Sequence, residues 1–322
     1  MFSGLVLFVA IVTLNAAAAV LAPVKVLNDG NKMPMLALGT HNSTGEAAFA
    51  ATVSAIELGY RHIDTAVIYE NEEQIGRAVA DVVKRGVVKR EDLFITTKLW
   101  NDKHSREDVV PALKEALGRL NLTYADLYLI HFPIGEKAND KLADTDYLET
   151  WMGMEDAKKL GLAKSIGVSN FNSEQIDRII ANSHTIPAVN QIEVNPSLTQ
   201  ESLVTYCQKK GIVVMAHSPF GFMVDRESLE SPPPAPNDPV LTKIAKKYGK
   251  TTFQVVLRYL VDRGTAPVPK SADKHRQKQN IDIYDFNLTE EEIAAINKFN
   301  SNTRVIKGVF WLDHPYYPFN KE

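Results

Sequence analysis

The chain has 322 residues, 36 of them basic and 39 acidic, for a formal charge of -3. So even a balance excludes a surface built to hold nucleic acid or another polyanion. Hydrophobic residues make up 45% and charged residues 23%, which excludes a disordered or fibrous chain and leaves a globular protein with a sizeable core.

The first stretch, Met1 to Pro23, is apolar and uncharged, and Ala17 and Ala19 are small residues placed ahead of a cleavage point. This is the pattern of a secretory leader over residues 1–19. Its clean apolar core, Leu5 to Leu14, is about ten residues, against the roughly 20 that span a bilayer, so removal rather than anchoring is expected. The mature protein is then a secreted single domain, residues 20–322, free of the membrane and monomeric; without a working leader it would be cytoplasmic. In the secretory route Asn42-Ser-Thr, Asn121-Leu-Thr and Asn287-Leu-Thr become glycosylation acceptors. The one cysteine, Cys207, cannot form an internal disulfide and is expected in a buried helix.

Beyond the leader, Val24 to Met35 alternates around Asp29-Gly30, a hairpin signal, and should plug one end of the domain. Short apolar runs that read as buried parallel strands follow: Leu36 to Thr40, His62 to Ala66, Leu93 to Leu99, Leu127 to Phe132, Ser165 to Asn170, Val189 to Val194, Val213 to Ser218 and Ala266 to Lys270. Between them, apolar positions three and four apart predict helices over Ala47 to Leu58, Glu73 to Lys84, Arg106 to Leu120, Leu148 to Leu160, Ser173 to Ala181, Gln200 to Lys209 and Thr252 to Arg263. Eight uninterrupted units favour an α/β fold closed as a (β/α)8 TIM barrel. An open dinucleotide-binding sheet is disfavoured, because Leu38-Gly39-Thr40-His41-Asn42-Ser43 lacks the three-glycine spacing. Two insertions, the proline-rich Ser231 to Pro239 and a long C-terminal tail from Ser301 rich in Trp311, Tyr316, Tyr317 and Phe319, should overhang the active-site rim.

Four residues fall at or just beyond predicted strand ends: Asp64, Tyr69, Lys98 and His131. A barrel gathers its C-terminal strand ends on one rim, so the four should face one pocket. A tyrosine is a weak acid at neutral pH, and the Lys98 ammonium is expected to lower its pKa while Asp64 keeps Lys98 charged. His131 would orient a substrate oxygen beside the phenol. Any one of these residues alone would read as packing; together they suit proton delivery to a carbonyl. Neither a Ser-His-Asp triad nor metal-ligand spacing is present, so no metal is expected.

Those segments, with Gly167-Val168-Ser169-Asn170-Phe171 and Val268-Pro269-Lys270-Ser271, occur in the order found in aldo-keto reductases, which the chain resembles from about Val24 to its tail. The resemblance implies a catalytic tetrad of Asp64, Tyr69, Lys98 and His131 and a nicotinamide cofactor. Ser169, Asn170 and Gln191 would hold its carboxamide and His217 would lie under its ring. Ser218, Pro219, Phe220 and Gly221 would run under the pyrophosphate. Lys270, Ser271, Ala272 and Arg276 would surround a 2'-phosphate, Gln279 and Asn280 would approach the adenine, and Thr40, His41 and Asp64 would complete the contacts. Arg and Lys flanking a hydroxyl suit a dianionic monoester, so NADPH is expected over NADH.

The chain departs from the family pattern at three places. His217 stands where many members stack a tyrosine, and His41 and Phe132 replace pocket tryptophans. A wider or differently polar cavity follows, bordered by His41, Tyr69, Trp100, His131, Phe132, Phe310 and Trp311; the rings of Phe310, Trp311, Trp100 and Phe132 would sandwich a flat steroid. Together with the leader, this pocket resembles the insect branch that reduces 3-oxo-ecdysteroids. Retention of His131 implies reduction of C=O rather than C=C.

Overall fold

The computed structural model describes residues 21–137, 141–224 and 231–319; the expected leader lies outside the described residues. An antiparallel hairpin comes first, β1 (Val24–Val26) with β2 (Lys32–Pro34). Its turn is closed by Leu27 N–H to Asn31 O at 2.8 Å and by Gly30 at φ 87, a left-handed position that glycine adopts freely. Leu27, Met33 and Met35 are buried with Phe94, Val189, Val213 and Met215, residues from the starting halves of barrel strands. The hairpin therefore plugs the N-terminal mouth, as its alternation implies.

β3 (Leu38–Gly39) leads to α1 (Gly45–Leu58), β4 (His62–Asp64) to α2 (Glu72–Lys84), and β5 (Phe94–Leu99) to α3 (Arg106–Leu120) and β6 (Ala125–Ile130). A second antiparallel hairpin, β7 (Gly135–Lys137) with β8 (Lys141–Ala143), precedes α4 (Tyr147–Lys159). β9 (Ala163–Ser169), α5 (Ser173–Asn182), β10 (Val189–Glu193), α6 (Glu201–Lys209) and β11 (Val213–His217) follow, then α7 (Pro239–Tyr248), α8 (Thr252–Asp262), β12 (Ala266–Pro267), α9 (Lys274–Ile281) and α10 (Glu290–Asn297). Eight strands form one parallel sheet in the order β3-β4-β5-β6-β9-β10-β11-β12. Its edges meet: Ala37 N–H donates to Pro267 O at 3.1 Å and Gly39 N–H to Pro269 O at 3.0 Å, and Gly39 bridges Lys270 in parallel. The closing strand needs only acceptors on that side, which is why two prolines are tolerated there and why regular pairing stops at Pro267.

All eight predicted strands and all seven predicted helices are present, displaced at their ends by no more than a few residues. Cys207 is buried in α6, as expected. Four elements go beyond the predicted set: α7, α9, α10 and the β7–β8 hairpin. α9 lacks an apolar stripe because it buries amides, with Gln277 Nε2 donating to Ala51 O at 2.9 Å and Ser271 O at 2.8 Å. α7 and α10 are short and announced by their caps, Asp238 before Pro239 and the Thr289/Glu292 capping box. Among the described residues no helix is long and apolar enough to cross a membrane, and no group of three or more His, Cys, Asp or Glu is placed to hold a metal.

Candidate active site

Asp64 ends β4, Lys98 is the penultimate residue of β5, and His131 directly follows β6, so three adjacent strands deliver them to one rim. Lys98 Nζ donates to Asp64 Oδ1 at 2.6 Å and to Thr65 O at 3.0 Å, while Gln191 Nε2, from β10, donates to Asp64 Oδ2 at 2.7 Å. Both carboxylate oxygens are thus engaged in a place where Asp64 and Lys98 are almost fully buried. Burial opposes the Lys98 charge, but Asp64 and Tyr69 outweigh it and hold the ammonium above its ordinary range.

Tyr69 ends a 3-10 turn, Val67–Tyr69, and Lys98 Nζ lies 5.1 Å from the centre of its ring. The direction of the phenol's shift corrects the sequence expectation. Loss of solvation is the largest influence and raises its pKa; Lys98 pulls it down and Asp64 pushes it up, and the outcome is a phenol above its usual range. The residue as a whole is only part-buried, yet its phenol is packed closely enough for desolvation to win. Lys98 therefore moderates the cost of ionisation rather than producing a phenolate, and the proton stays available for donation.

His131 sits 5.8 Å from the Tyr69 ring, is stacked on Phe132 at 5.4 Å, and meets the edge of Trp100 at 5.2 Å. Burial, then the Lys98 charge, then His217 and His41 hold its pKa well below the imidazole range, so the ring is neutral. His41 is exposed on the other side of Tyr69, with ring centres 5.0 Å apart. Thr40 lies beneath, its Oγ1 donating to Asp64 O at 2.9 Å.

A second polar group gathers at the ends of β9 to β11. Ser169 Oγ donates to Gln191 O at 2.8 Å, and Asn170, in the left-handed region at φ 60, donates from Nδ2 to His131 O at 3.0 Å and to Ser169 Oγ at 3.2 Å. His217 Nε2 donates to Asn170 Oδ1 at 3.0 Å, and its Nδ1 is 3.2 Å from Ser218 Oγ. The turn Ser218-Pro219-Phe220-Gly221 closes through Gly221 N–H to Ser218 O at 2.9 Å. Gly221 has φ 50, and a Cβ there would sit 2.7 Å from the Asn195 side chain, so only glycine fits. Past β12, the closing bridge sets Lys270 beside β3; Ser271 is buried and accepts from Arg276 Nε at 3.4 Å. Ala272 is exposed, Gln279 is half-buried and Asn280 buried along α9.

The aromatic wall is real for Trp100, Phe132 and Trp311: Phe132 and Trp311 lie 4.6 Å apart and Trp100 and Trp311 6.2 Å. Phe310 does not join it. That residue is 88% exposed, because the 3-10 turn Val309–Trp311 sends successive side chains in different directions and Trp311 takes the inward one.

Two acidic residues that sequence reasoning missed hold the tail down. Glu193, at the end of β10 and 1% exposed, accepts the N–H groups of Val305 at 2.8 Å and Ile306 at 2.9 Å. Burial raises its pKa, and those N–H groups only partly offset the effect. A carboxylate ending the strand Val-Asn-Gln-Ile-Glu was the available signal. Glu136, in β7, accepts from Trp311 Nε1 at 2.5 Å; nothing local in the sequence marks it. A cavity of about 1170 Å³ opens between the tail and the starts of α5 and α6, but of the site residues it reaches Asn170 alone and contains no member of the tetrad.

An acid, a lysine, a phenol and a neutral imidazole on the C-terminal rim of a closed eight-stranded barrel define a carbonyl-reducing oxidoreductase architecture. The profile of the aldo/keto reductase family matches residues 35–301, and the chain belongs to that family. A silkworm (Bombyx mori) aldo-keto reductase, AKR2E4, is 57% identical over 306 residues, covering 93% of this chain and 99% of the relative. Its crystal structure in complex with NADP superposes with a TM-score of 0.92, covering 94% of this chain and all of the other. A second silkworm enzyme, AKR2E5, solved with NADPH, is 44% identical with a TM-score of 0.91 and 94% of each chain covered. Human aldo-keto reductase family 1 member A1 is 41% identical over 315 residues, 91% of this chain and 97% of that one.

Proposed function

We propose that the protein reduces a ketone or aldehyde to the alcohol with NADPH, Tyr69 serving as the proton donor, and that its substrate is a 3-oxo-ecdysteroid such as 3-dehydroecdysone. The observation that carries the reaction is the convergence of a neutral Tyr69 phenol on the Lys98–Asp64 pair, with neutral His131 beside it.

The residues present fit the cofactor. Donors and acceptors on Ser169, Asn170 and Gln191 suit a carboxamide, and Lys270, Ser271 and Arg276 bring two cations and a hydroxyl together for a phosphate monoester. When bound, the dihydronicotinamide supplies a hydride to the carbonyl carbon. The Tyr69 O–H hydrogen-bonds the carbonyl oxygen and passes its proton there as negative charge develops. Lys98 stabilises the phenolate left behind, and Asp64 keeps Lys98 charged and aimed. His131, held neutral, orients the oxygen by hydrogen bonding without competing as the acid.

Support for the substrate comes from the pocket and the relatives. Smaller rings, His41 and Phe132, stand where the family pattern has tryptophans, Trp100, Phe132 and Trp311 offer an apolar wall of tilted rings, and AKR2E4 and AKR2E5 are insect proteins. The leader-like start supports export of the mature domain. The test is consumption of NADPH by purified protein lacking residues 1–19, offered 3-oxo-ecdysteroids, other 3-oxo-steroids and small aldehydes. Faster turnover of small aldehydes would replace this reading with a broad detoxifying reductase. Cofactor binding with no carbonyl consumed would make the chain a binding protein of low turnover.

A further inference from the structure

Trp311 belongs to an otherwise coil-like tail, yet its indole is fixed on three sides. Gly308, four residues past Arg304, turns the chain at φ 60, and its α-carbon comes so close to the indole that an added Cβ would sit 3.0 Å from Trp311 Cε3. Phe132 packs against the ring at 4.6 Å. The third contact is polar: Nε1–H donates to the Glu136 carboxylate at 2.5 Å, a charge-assisted bond of the stronger kind. Glu136 is carried by the β7–β8 hairpin, 175 positions away in sequence, so this one bond couples two rim segments that arise independently. The same two segments meet again where His314 Nε2 donates to Ala143 O at 3.0 Å, which fixes the backbone of the tail but not the angle of the indole.

We propose that Glu136 is a positioning residue for substrate selectivity: it aims the Trp311 indole so that, with Trp100 and Phe132, it forms an apolar wall of mutually tilted rings beside His131. Trp100 links the wall to the chemistry, since its ring is 6.2 Å from Trp311 and 5.2 Å from His131. A broad ketone must lie across this wall, and the apolar area it touches there depends on the angle of the Trp311 ring. A small aldehyde reaches Tyr69 and His131 without touching the outer ring. Glu136 thus governs affinity for one class of carbonyl compound and leaves the proton-donating groups alone. The inference rests on carbonyl reduction by this site, not on the ecdysteroid assignment.

The test is a double-mutant cycle of Glu136→Ala and Trp311→Phe, with Glu136→Gln as the conservative variant. KM and kcat are measured with NADPH for a polycyclic ketone and a small aldehyde in parallel. Glu136→Ala is expected to raise the ratio of ketone KM to aldehyde KM about tenfold, the loss of one charged hydrogen bond. Glu136→Gln, whose amide oxygen still accepts the indole N–H, should recover most of that ratio. In the Trp311→Phe background, where no N–H remains, Glu136→Ala should add nothing. The proposal is overturned if the ratio stays constant, if both KM values rise together, if Glu136→Gln is as impaired as Glu136→Ala, or if the two substitutions are additive. Because the small aldehyde reports turnover in each variant, loss of the reaction itself is distinguishable from loss of selectivity.

Discussion

On the strand-borne side of the pocket Asp64, Lys98 and Gln191 are buried and joined by hydrogen bonds of 2.6 and 2.7 Å, whereas on the loop-borne side His41 and Phe310 are exposed and Trp311 is half-buried. The first side sits on paired strands, where backbone ladders fix the position of each side chain. The second hangs from a tail and a hairpin fastened by a few discrete bonds. Apart from Tyr69, carried by the 3-10 turn after β4, the groups of the tetrad lie at barrel strand ends, and selectivity lies where a substitution moves one ring without disturbing the sheet.

This contrast can be broken from the side of the tetrad first. Tyr69→Phe removes the acid and little else, so reduction should fall by roughly 10²–10⁴-fold while NADPH still quenches or binds normally in a fluorescence titration; undiminished turnover would reject the assignment. Lys98→Met leaves the Asp64 carboxylate buried without its cation, and a loss of about 3–5 kcal/mol in denaturant-measured stability is expected. A variant as stable as the parent would show that the pair is not the rigid element described.

The next effect is on pH. His62, in β4, is bonded to Pro34 O at 3.1 Å and Thr96 Oγ1 at 2.8 Å, and burial, partly countered by the Pro34 bond and the Asp64 and Asp126 carboxylates, lowers its pKa from 6.5 to about 4. Between those values the unfolded chain binds a proton that the folded chain refuses. Stability should therefore fall as pH drops from 6.5 towards 4, by on the order of 3 kcal/mol from this group. Buried His104, lowered to about 3 by desolvation and His314, acts in the same direction. His62→Gln should flatten the slope of unfolding midpoint against pH in that window, and an unchanged slope would remove His62 from the account. Smallest is the loop-side prediction: Phe310→Ala, at an 88% exposed position, should alter stability by less than about 0.5 kcal/mol and steroid KM by less than about twofold. A tenfold KM change would return Phe310 to the pocket wall.

The same divide explains what the sequence disclosed. Strand ends are marked by apolar runs, so Asp64, Lys98 and His131 could be placed before any coordinates, and barrel closure followed from counting units; Gln191, in the middle of β10, came only from the family resemblance. Trp311 was legible as aromatic but its inward aim was not, because a 3-10 turn of three residues has no period, and neighbouring Phe310 reads the same. Glu136 and Glu193 escaped for another reason: their partners are an indole and two backbone N–H groups more than a hundred positions away. The sign of the Tyr69 shift was out of reach as well, since it depends on how much solvent the fold removes and not on which charge is near.

Glu193 and Gln191 lie two residues apart on one strand, so they point to the same face of it. One grips the tail through Val305 and Ile306, and the other props the carboxylate that steadies Lys98. β10 thus acts as a common spine: a tug on the tail is felt first by the most rigid part of the molecule. The amide protons of Val305 and Ile306, though they belong to coil, should exchange with solvent as slowly as those of a sheet.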